Sequence, residues 1–376
     1  MLLESKSMFF VESMNHLILL FNQLRKYKFK TKVTKIQIKL NQSIINIMEG
    51  KTTYKAVQVQ PDFTLKVVEI EFPQLTDDQV LVKMAAAPIN PSDVGKSKGR
   101  YGVTSPPPYG VGIEGAGIIA KVGKNHEGRL KVGDRVTVLS DGNLGTWAEY
   151  TVTPGYKVYP IHPDNSFEEA ASHFVNPATV FMMLKEVQKE GHKAVVQSAA
   201  ASSLGKMLIR VFKENGIKTI NLVRRDDVKE ELLSLGADYV LNTTDADFET
   251  KLEEIAKKEQ ATKFYDAVCG EFTVKVLRKL PFGSVVNVYG GLSGDINVPI
   301  TLMDLFGGKT ISGFMLQAHY GKLSLEEKMK LAGHIQSSLK TTLKSNVAKS
   351  FSIDEIEKAI EHSLKNGSTG KTILKF

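Results

Sequence analysis

Between Lys193 and Gly291 the chain alternates short apolar runs with amphipathic stretches, and this regularity constrains the fold more than any other feature. "KAVVQSA" (193–199) reads as a buried strand, and "SLGKMLIRVFKENG" (203–216) as a helix closed by Gly216. "KTINLVRR", "DDVKEELLSLG", "ADYVLN", "DFETKLEEIAKKEQ", "YDAVCG", "EFTVKVLRKL" and "GSVVNVYGG" continue the exchange of strand and helix patterns. Strands that return to one sheet through helices run parallel, so the pattern specifies an α/β region with a doubly wound sheet. After "KTISGFML" (309–316) come the helix "SLEEKMKLAGHIQSSLK", a shorter helix and a last strand, "GKTILKF".

The preceding segment has a different texture. From Tyr54 to about Tyr159, β-rich runs such as "YKAVQVQ", "LKVVEI", "QVLVKMAAAPIN", "GAGIIAKVG" and "DRVTVLS" are separated by Gly and Pro. Their spacing predicts a small irregular barrel or sandwich. At "SFEEAASHF" Ser166 and Glu169 have the spacing of a capping box, which marks a helix start. Two textures in 376 residues suggest two domains, with enough chain for a core that needs no disulfide or metal clip.

The charge of +8 is uneven: residues 1–50 hold eight Lys/Arg against three Asp/Glu, leaving the rest close to neutral. A nucleic-acid surface therefore has little support. Met1 to Glu49 contain no Ala, Gly or Pro. Within them "MNHLILLFNQLRKYKFK" can form a basic amphipathic helix of the presequence kind, although Arg25 is its sole arginine. The other reading starts the native chain at Met48, with an artefactual or disordered extension before it. The run Leu17–Phe21 is too short to span a bilayer. Cys269 is the one cysteine, which excludes an intramolecular disulfide and a four-cysteine zinc site. It points to a reducing compartment, mitochondrial matrix or cytoplasm, and away from secretion.

The turn after the first α/β strand, "AAASSLG", places Ala199, Ser202 and Gly205 at the spacings of a dinucleotide fingerprint. Small residues there let backbone amides approach a pyrophosphate at a helix start, although two of the usual glycines are missing. At the end of the second strand, where NAD-binding sheets carry an acid, stand Arg224 and Arg225. Arginine grips a 2′-phosphate that an acid would repel, so the expected cofactor is NADPH (NADP+). Asp226 and Asp227 follow directly and weigh against it.

These residues resemble the medium-chain dehydrogenase/reductase superfamily over roughly residues 52–376. Its zinc enzymes carry "GHE" where this chain has Gly112-Ile113-Glu114, so the resemblance is to the zinc-free branch of quinone reductases and 2-enoyl thioester reductases, with no metal site. "INPSD" (89–93), "GRYG" (99–102), "LGTW" (144–147), "VNPAT" (175–179), "VYGG" (288–291), "GFML" (313–316) and "TGKTIL" (369–374) look most like the thioester reductases. The resemblance implies a GroES-like β-barrel catalytic domain and a Rossmann domain. The expected division is an N-terminal extension (1–50), a catalytic domain in two parts (51–170 and 315–376) and a Rossmann domain (171–314). It also implies a homodimer through the Rossmann sheet edge. Carried over by motif, Tyr101 matches the catalytic tyrosine. Asn176, Ser202, Ser203, Leu204, Gly205, Arg224, Arg225, Tyr289, Gly290, Gly291, Phe314, Leu316 and Lys371 match cofactor contacts. Met315 departs from the usual Trp, and Cys269 from the usual Gly.

Reducing an activated alkene takes hydride at Cβ and a proton at Cα. Hydride comes from a nicotinamide, and an un-ionised phenol suits the proton. Tyr101 either donates that proton or positions the substrate; packing of a loop aromatic is the plain alternative. Asn90 and Asp93 are expected to cap a turn or bond the substrate, Glu114 to belong to turn structure, and Trp147 to pack against the cofactor domain. Cys269 is expected to be a buried thiol in a strand. The activities these residues leave open are enoyl thioester reduction, quinone or alkenal reduction, and NADPH binding without turnover.

Overall fold

The computed structural model describes residues 51–100, 105–140 and 142–376. Tyr101 and the basic extension lie outside them. The α/β alternation folds into one parallel sheet with spatial order Tyr239–Asn242, Lys218–Val223, Ala194–Gln197, Lys263–Asp266, Val285–Val288 and Thr310–Gly313. Successive residues of a strand face opposite ways, and both faces are covered. Val195 and Tyr265 pack with Met183, Leu208 and Phe212 from helices Val175–Glu190 and Ser203–Glu214. Val196 and Phe264 face Leu252 and Val276 from helices Phe248–Lys258 and Glu271–Leu277. This is the Rossmann arrangement that the alternation predicts.

The β-rich segment forms two sheets. The larger has the order Val347–Ser352, Lys371–Lys375, Gln79–Pro88, Glu114–Val122, Arg135–Leu139 and Val158–Pro160, with Tyr150–Pro154 also paired to Gln79–Pro88. The smaller joins Leu65–Glu71, Thr53–Val59 and Tyr109–Gly110. The last strand of the chain thus returns to the first region. Ser166 and Glu169 form the expected capping box on helix Phe167–Ala171.

Two packing expectations are corrected. Trp147 is fully buried among Val57, Ile89, Val94, Tyr109 and Phe351 of the β region, and its Nε1 donates to the Pro88 carbonyl at 3.0 Å. It therefore packs inside its own region, where the chain that returns at 347–375 adds Phe351 to the nearer partners. Cys269 is a buried free thiol as expected, but it follows the strand Lys263–Asp266 in a loop, at φ 68°. No helix among the described residues is long and apolar enough to cross a membrane.

Candidate functional site

Strand order reverses between Ala194–Gln197 and Lys263–Asp266, and open α/β sheets bind ligands in the crevice outside the carboxyl ends of the strands at such a switch point. Several motif residues follow the carboxyl ends of these strands. Ser202 caps helix Ser203–Glu214, its hydroxyl accepting from the Gly205 amide at 3.1 Å. The helix itself has no acceptors for the Ser203 and Leu204 amides, so they remain for an anion. Gly205 is required by packing: a Cβ there would stand 2.4 Å from the Ala200 carbonyl oxygen. Leu204 is buried beside it.

Arg224 and Arg225 are exposed just past the second strand, Lys218–Val223. Of the acids that follow, Asp226 is held by Lys229 at 2.9 Å and Asn242 at 3.2 Å, whereas Asp227 lies 3.2 Å from Arg225. Tyr289, Gly290 and Gly291 follow the strand Val285–Val288, and Phe314 follows Thr310–Gly313, buried and stacked on His319 at 4.2 Å. Leu316 is buried in the next short helix. Burial raises the Tyr289 phenol, and Asp266 adds to the shift, so it is neutral. The crevice thus combines a helix start, unpaired amides and exposed guanidinium groups, which is the donor set a phosphorylated dinucleotide needs.

Sequence reasoning missed three features here. Asp266 accepts from Ser198 Oγ (2.7 Å), Thr273 Oγ1 (2.6 Å) and the Val268 and Cys269 amides, and so shapes the loop at the switch point. Ser368, from the C-terminal return, meets Arg225 Nη2 through its hydroxyl and Lys206 Nζ through its carbonyl. A strand-end Asp is the one signal that marked the first; nothing local marked the second.

The third is a buried polar cluster of Asn90, Asp93, Glu114 and Lys371. Asn90 begins helix Pro91–Ser97, where its backbone amide donates to Asp93 Oδ2 at 2.9 Å. Asn90 Nδ2 donates to Glu114 Oε1 at 2.9 Å, and Lys371 Nζ donates to Asn90 Oδ1. Glu114 Oε2 accepts from the Phe174 amide at 2.8 Å and the Val175 amide at 3.1 Å. Glu114 therefore caps the helix that carries Asn176, which corrects its reading as turn structure. Burial pushes Glu114 up, against Lys371, Asn90 and the two amides, and pushes Lys371 down. Only donors face the Glu114 oxygens, so the carboxylate is ionised. Burial, aided by Glu114, lifts Asp93 to about 7, against the Asn90 amide and Lys371. Asp93 Oδ1 has no partner among the described residues. Tyr109 is the packed aromatic of this segment, its hydroxyl bonded to the Lys96 carbonyl at 2.8 Å.

Residues 76–163 match the family model of the alcohol dehydrogenase GroES-like domain, and residues 203–331 that of zinc-binding dehydrogenases. Together the spans take in more than half of the chain. The chain belongs to the medium-chain dehydrogenase/reductase superfamily. Ile113 carries no lone pair, and no group of three His, Cys, Asp or Glu among the described residues could hold a metal ion.

The mitochondrial enoyl-[acyl-carrier-protein] reductase of Arabidopsis thaliana is 33% identical over 69% of this chain and 70% of its own length. That of Caenorhabditis elegans is 35% identical, over 69% and 76%. Among solved structures, a protein of Mesorhizobium loti assigned as an NADPH:quinone reductase matches with TM-score 0.79 and 31% identity, covering 87% of this chain and 99% of that one.

Proposed function

We propose that this protein is an NADPH-dependent oxidoreductase that reduces the C=C bond of a 2-enoyl thioester, an acyl-CoA or acyl-carrier substrate, without zinc. The observation that carries the cofactor reading is the crevice itself, where the Ser203 and Leu204 amides and exposed Arg224 and Arg225 lie at the carboxyl ends of adjacent strands. The substrate reading draws its support from the enoyl reductase relatives.

When bound, the nicotinamide supplies hydride. The residues of the chain do the rest. The helix start and the two arginines hold the phosphates. Asn176, Tyr289, Gly290, Gly291, Phe314, Leu316 and Lys371 line the cofactor's path by motif. Tyr101 delivers the proton to Cα or holds the thioester in place. Negative charge developing on the thioester oxygen is met by hydrogen-bond donors.

NADPH oxidation measured in parallel with crotonyl-CoA and a quinone tests this reading. Thioester turnover that drops at least tenfold in Tyr101→Phe supports the proton role, and an undiminished rate removes it. Equal efficiency with NADH would remove the role of Arg224 and Arg225. Faster turnover of the quinone would favour the second reading, a quinone or alkenal reductase, which the Mesorhizobium protein supports. NADPH binding without turnover of either would favour a non-catalytic protein.

The working unit we propose is a homodimer joined at the outer edge of strand Thr310–Gly313. The relatives' designation as mitochondrial and the basic residues 1–50 support the mitochondrial matrix over the cytoplasm. A reporter fused to residues 1–50 separates the two: matrix import supports the first, and a diffuse cytosolic signal overturns it.

A further inference from the structure

Hydrogen bonds in the buried cluster run in one direction. Lys371 has donors only, so the oxygen of the Asn90 side chain must face it and the nitrogen must face Glu114. The Phe174 and Val175 amides are also donors, and both end on the other Glu114 oxygen. The Lys371–Asn90 chain and the two backbone amides therefore converge on residue 114, which must accept on both sides. An ionised carboxylate does this and an amide cannot.

Helix Val175–Glu190 needs this acceptor. Phe174, its N-cap residue, has no side-chain oxygen, so the first-turn amides take theirs from a strand sixty residues earlier. The negative charge also lies at the positive end of a 16-residue helix. The second position of that helix is Asn176. Its side-chain amide has no hydrogen-bond partner among the described residues, although Asn176 is only 9% exposed.

We propose that Glu114 is a positioning residue for the cofactor: it fixes the first turn of helix Val175–Glu190, and with it the Asn176 amide, against the segments that carry Asn90 and Lys371. This rests on the proposed NADPH reading of the crevice. Glu114 touches no cofactor itself and acts through the helix start.

Titration of the full chain with NADPH, followed by nicotinamide fluorescence, tests the inference in a cycle of wild type, Glu114→Gln, Asn176→Ala and the double variant. The Gln amide group must oppose a donor whichever way it is turned. Glu114→Gln is expected to weaken NADPH binding about tenfold, the weight of one charge-assisted hydrogen bond. Its kcat at saturating NADPH should change less than twofold, so the loss appears in KM. In the double variant binding should be no weaker than in Asn176→Ala, because both changes remove the same contact. Effects that multiply, or unchanged affinity in Glu114→Gln, would overturn the inference while leaving the NADPH reading intact. Failure of the wild type to bind NADPH would overturn that reading, and this inference with it. If Glu114→Gln does not fold, Glu114→Asp, which keeps the anion one methylene short, takes its place in the cycle under the same criteria.

Discussion

Asp93 and His173 are both fully buried and are shifted in opposite senses, which gives the protein a pH response of definite shape. Burial, with help from Glu114, holds the Asp93 carboxyl at about 7, against 3.8 in an unfolded chain. Between those values the folded state binds the extra proton, so this contribution is complete below pH 3.8 and is lost as pH rises through 7. His173 has no partner on either ring nitrogen among the described residues, and burial lowers it from 6.5 to about 3. Its contribution is complete above pH 6.5 and is lost as pH falls towards 3. From about pH 4 to 6.5 the two slopes oppose each other, each roughly 1.4 kcal/mol per pH unit. Asp93→Asn is expected to leave the His173 slope uncompensated, so its stability relative to wild type rises with pH across that window. His173→Phe should show the reverse trend. Urea unfolding at pH 4.5 and 6.5 measures both, and parallel curves for all three proteins would refute the assignment. Neither shift was legible in the sequence. Asn90 and Asp93 already suggested a cap, but the burial of Asp93 depends on Glu114 and Lys371, which join it from two distant strands.

At the scale of the element, the turn from Ala199 to Gly205 shows what local pattern conveys. The strand and the helix that starts at Ser203 were readable, because each depends on neighbours within a few residues, whereas the cap at Ser202 was not read there. Loss of two fingerprint glycines leaves the third with the tightest constraint. Gly205→Ala would drive its Cβ to 2.4 Å from the Ala200 carbonyl, an overpacking cost of about 1–3 kcal/mol. That exceeds the helix-propensity gain of at most about 1 kcal/mol. The variant should therefore melt at lower temperature and bind NADPH less tightly. Gly291→Ala is the contrasting case, since a Cβ there meets nothing within 4 Å. It should keep its melting temperature and lose affinity only, because the added methyl enters the space proposed for the cofactor. Calorimetry and NADPH titration of the two variants separate packing from binding, and a destabilised Gly291→Ala would sink the distinction. Elements completed by distant chain were harder to read. Trp147 was assigned to the wrong neighbour because its partners are scattered along the chain, from Val57 to Phe351. Cys269 looked like part of a strand because "AVC" continues the strand-like run, but Asp266 turns the chain before the cysteine by accepting the next amides.

For the molecule as a whole, the α/β sheet ends on a strand with an open side. Thr310–Gly313 pairs with Val285–Val288 and, among the described residues, with no strand beyond it. Native folds cover or blunt such an edge, and this strand is four residues long. Leu302, Met303 and Phe306 on the short helix before the strand are 59–68% exposed, and Ile296 is 74% exposed. Exposed apolar side chains this close together in sequence, beside an unpaired edge, support the dimer interface proposed above. A second copy related by a two-fold axis supplies the same edge and the same apolar side chains, so one contact would extend the sheet and cover the patch. Burying each such side chain is worth about 1.5–3 kcal/mol, and a charge placed among them costs at least as much. Phe306→Glu is accordingly expected to convert a dimer of the wild-type chain into a monomer at micromolar concentration, with its melting temperature lowered by loss of the partner. Sedimentation velocity decides the matter: a monomeric wild type, or a dimer that Phe306→Glu leaves intact, would place the interface elsewhere. The crevice faces the carboxyl ends of the strands and not this edge, so a monomeric variant that still binds NADPH would show that assembly and cofactor binding are separable.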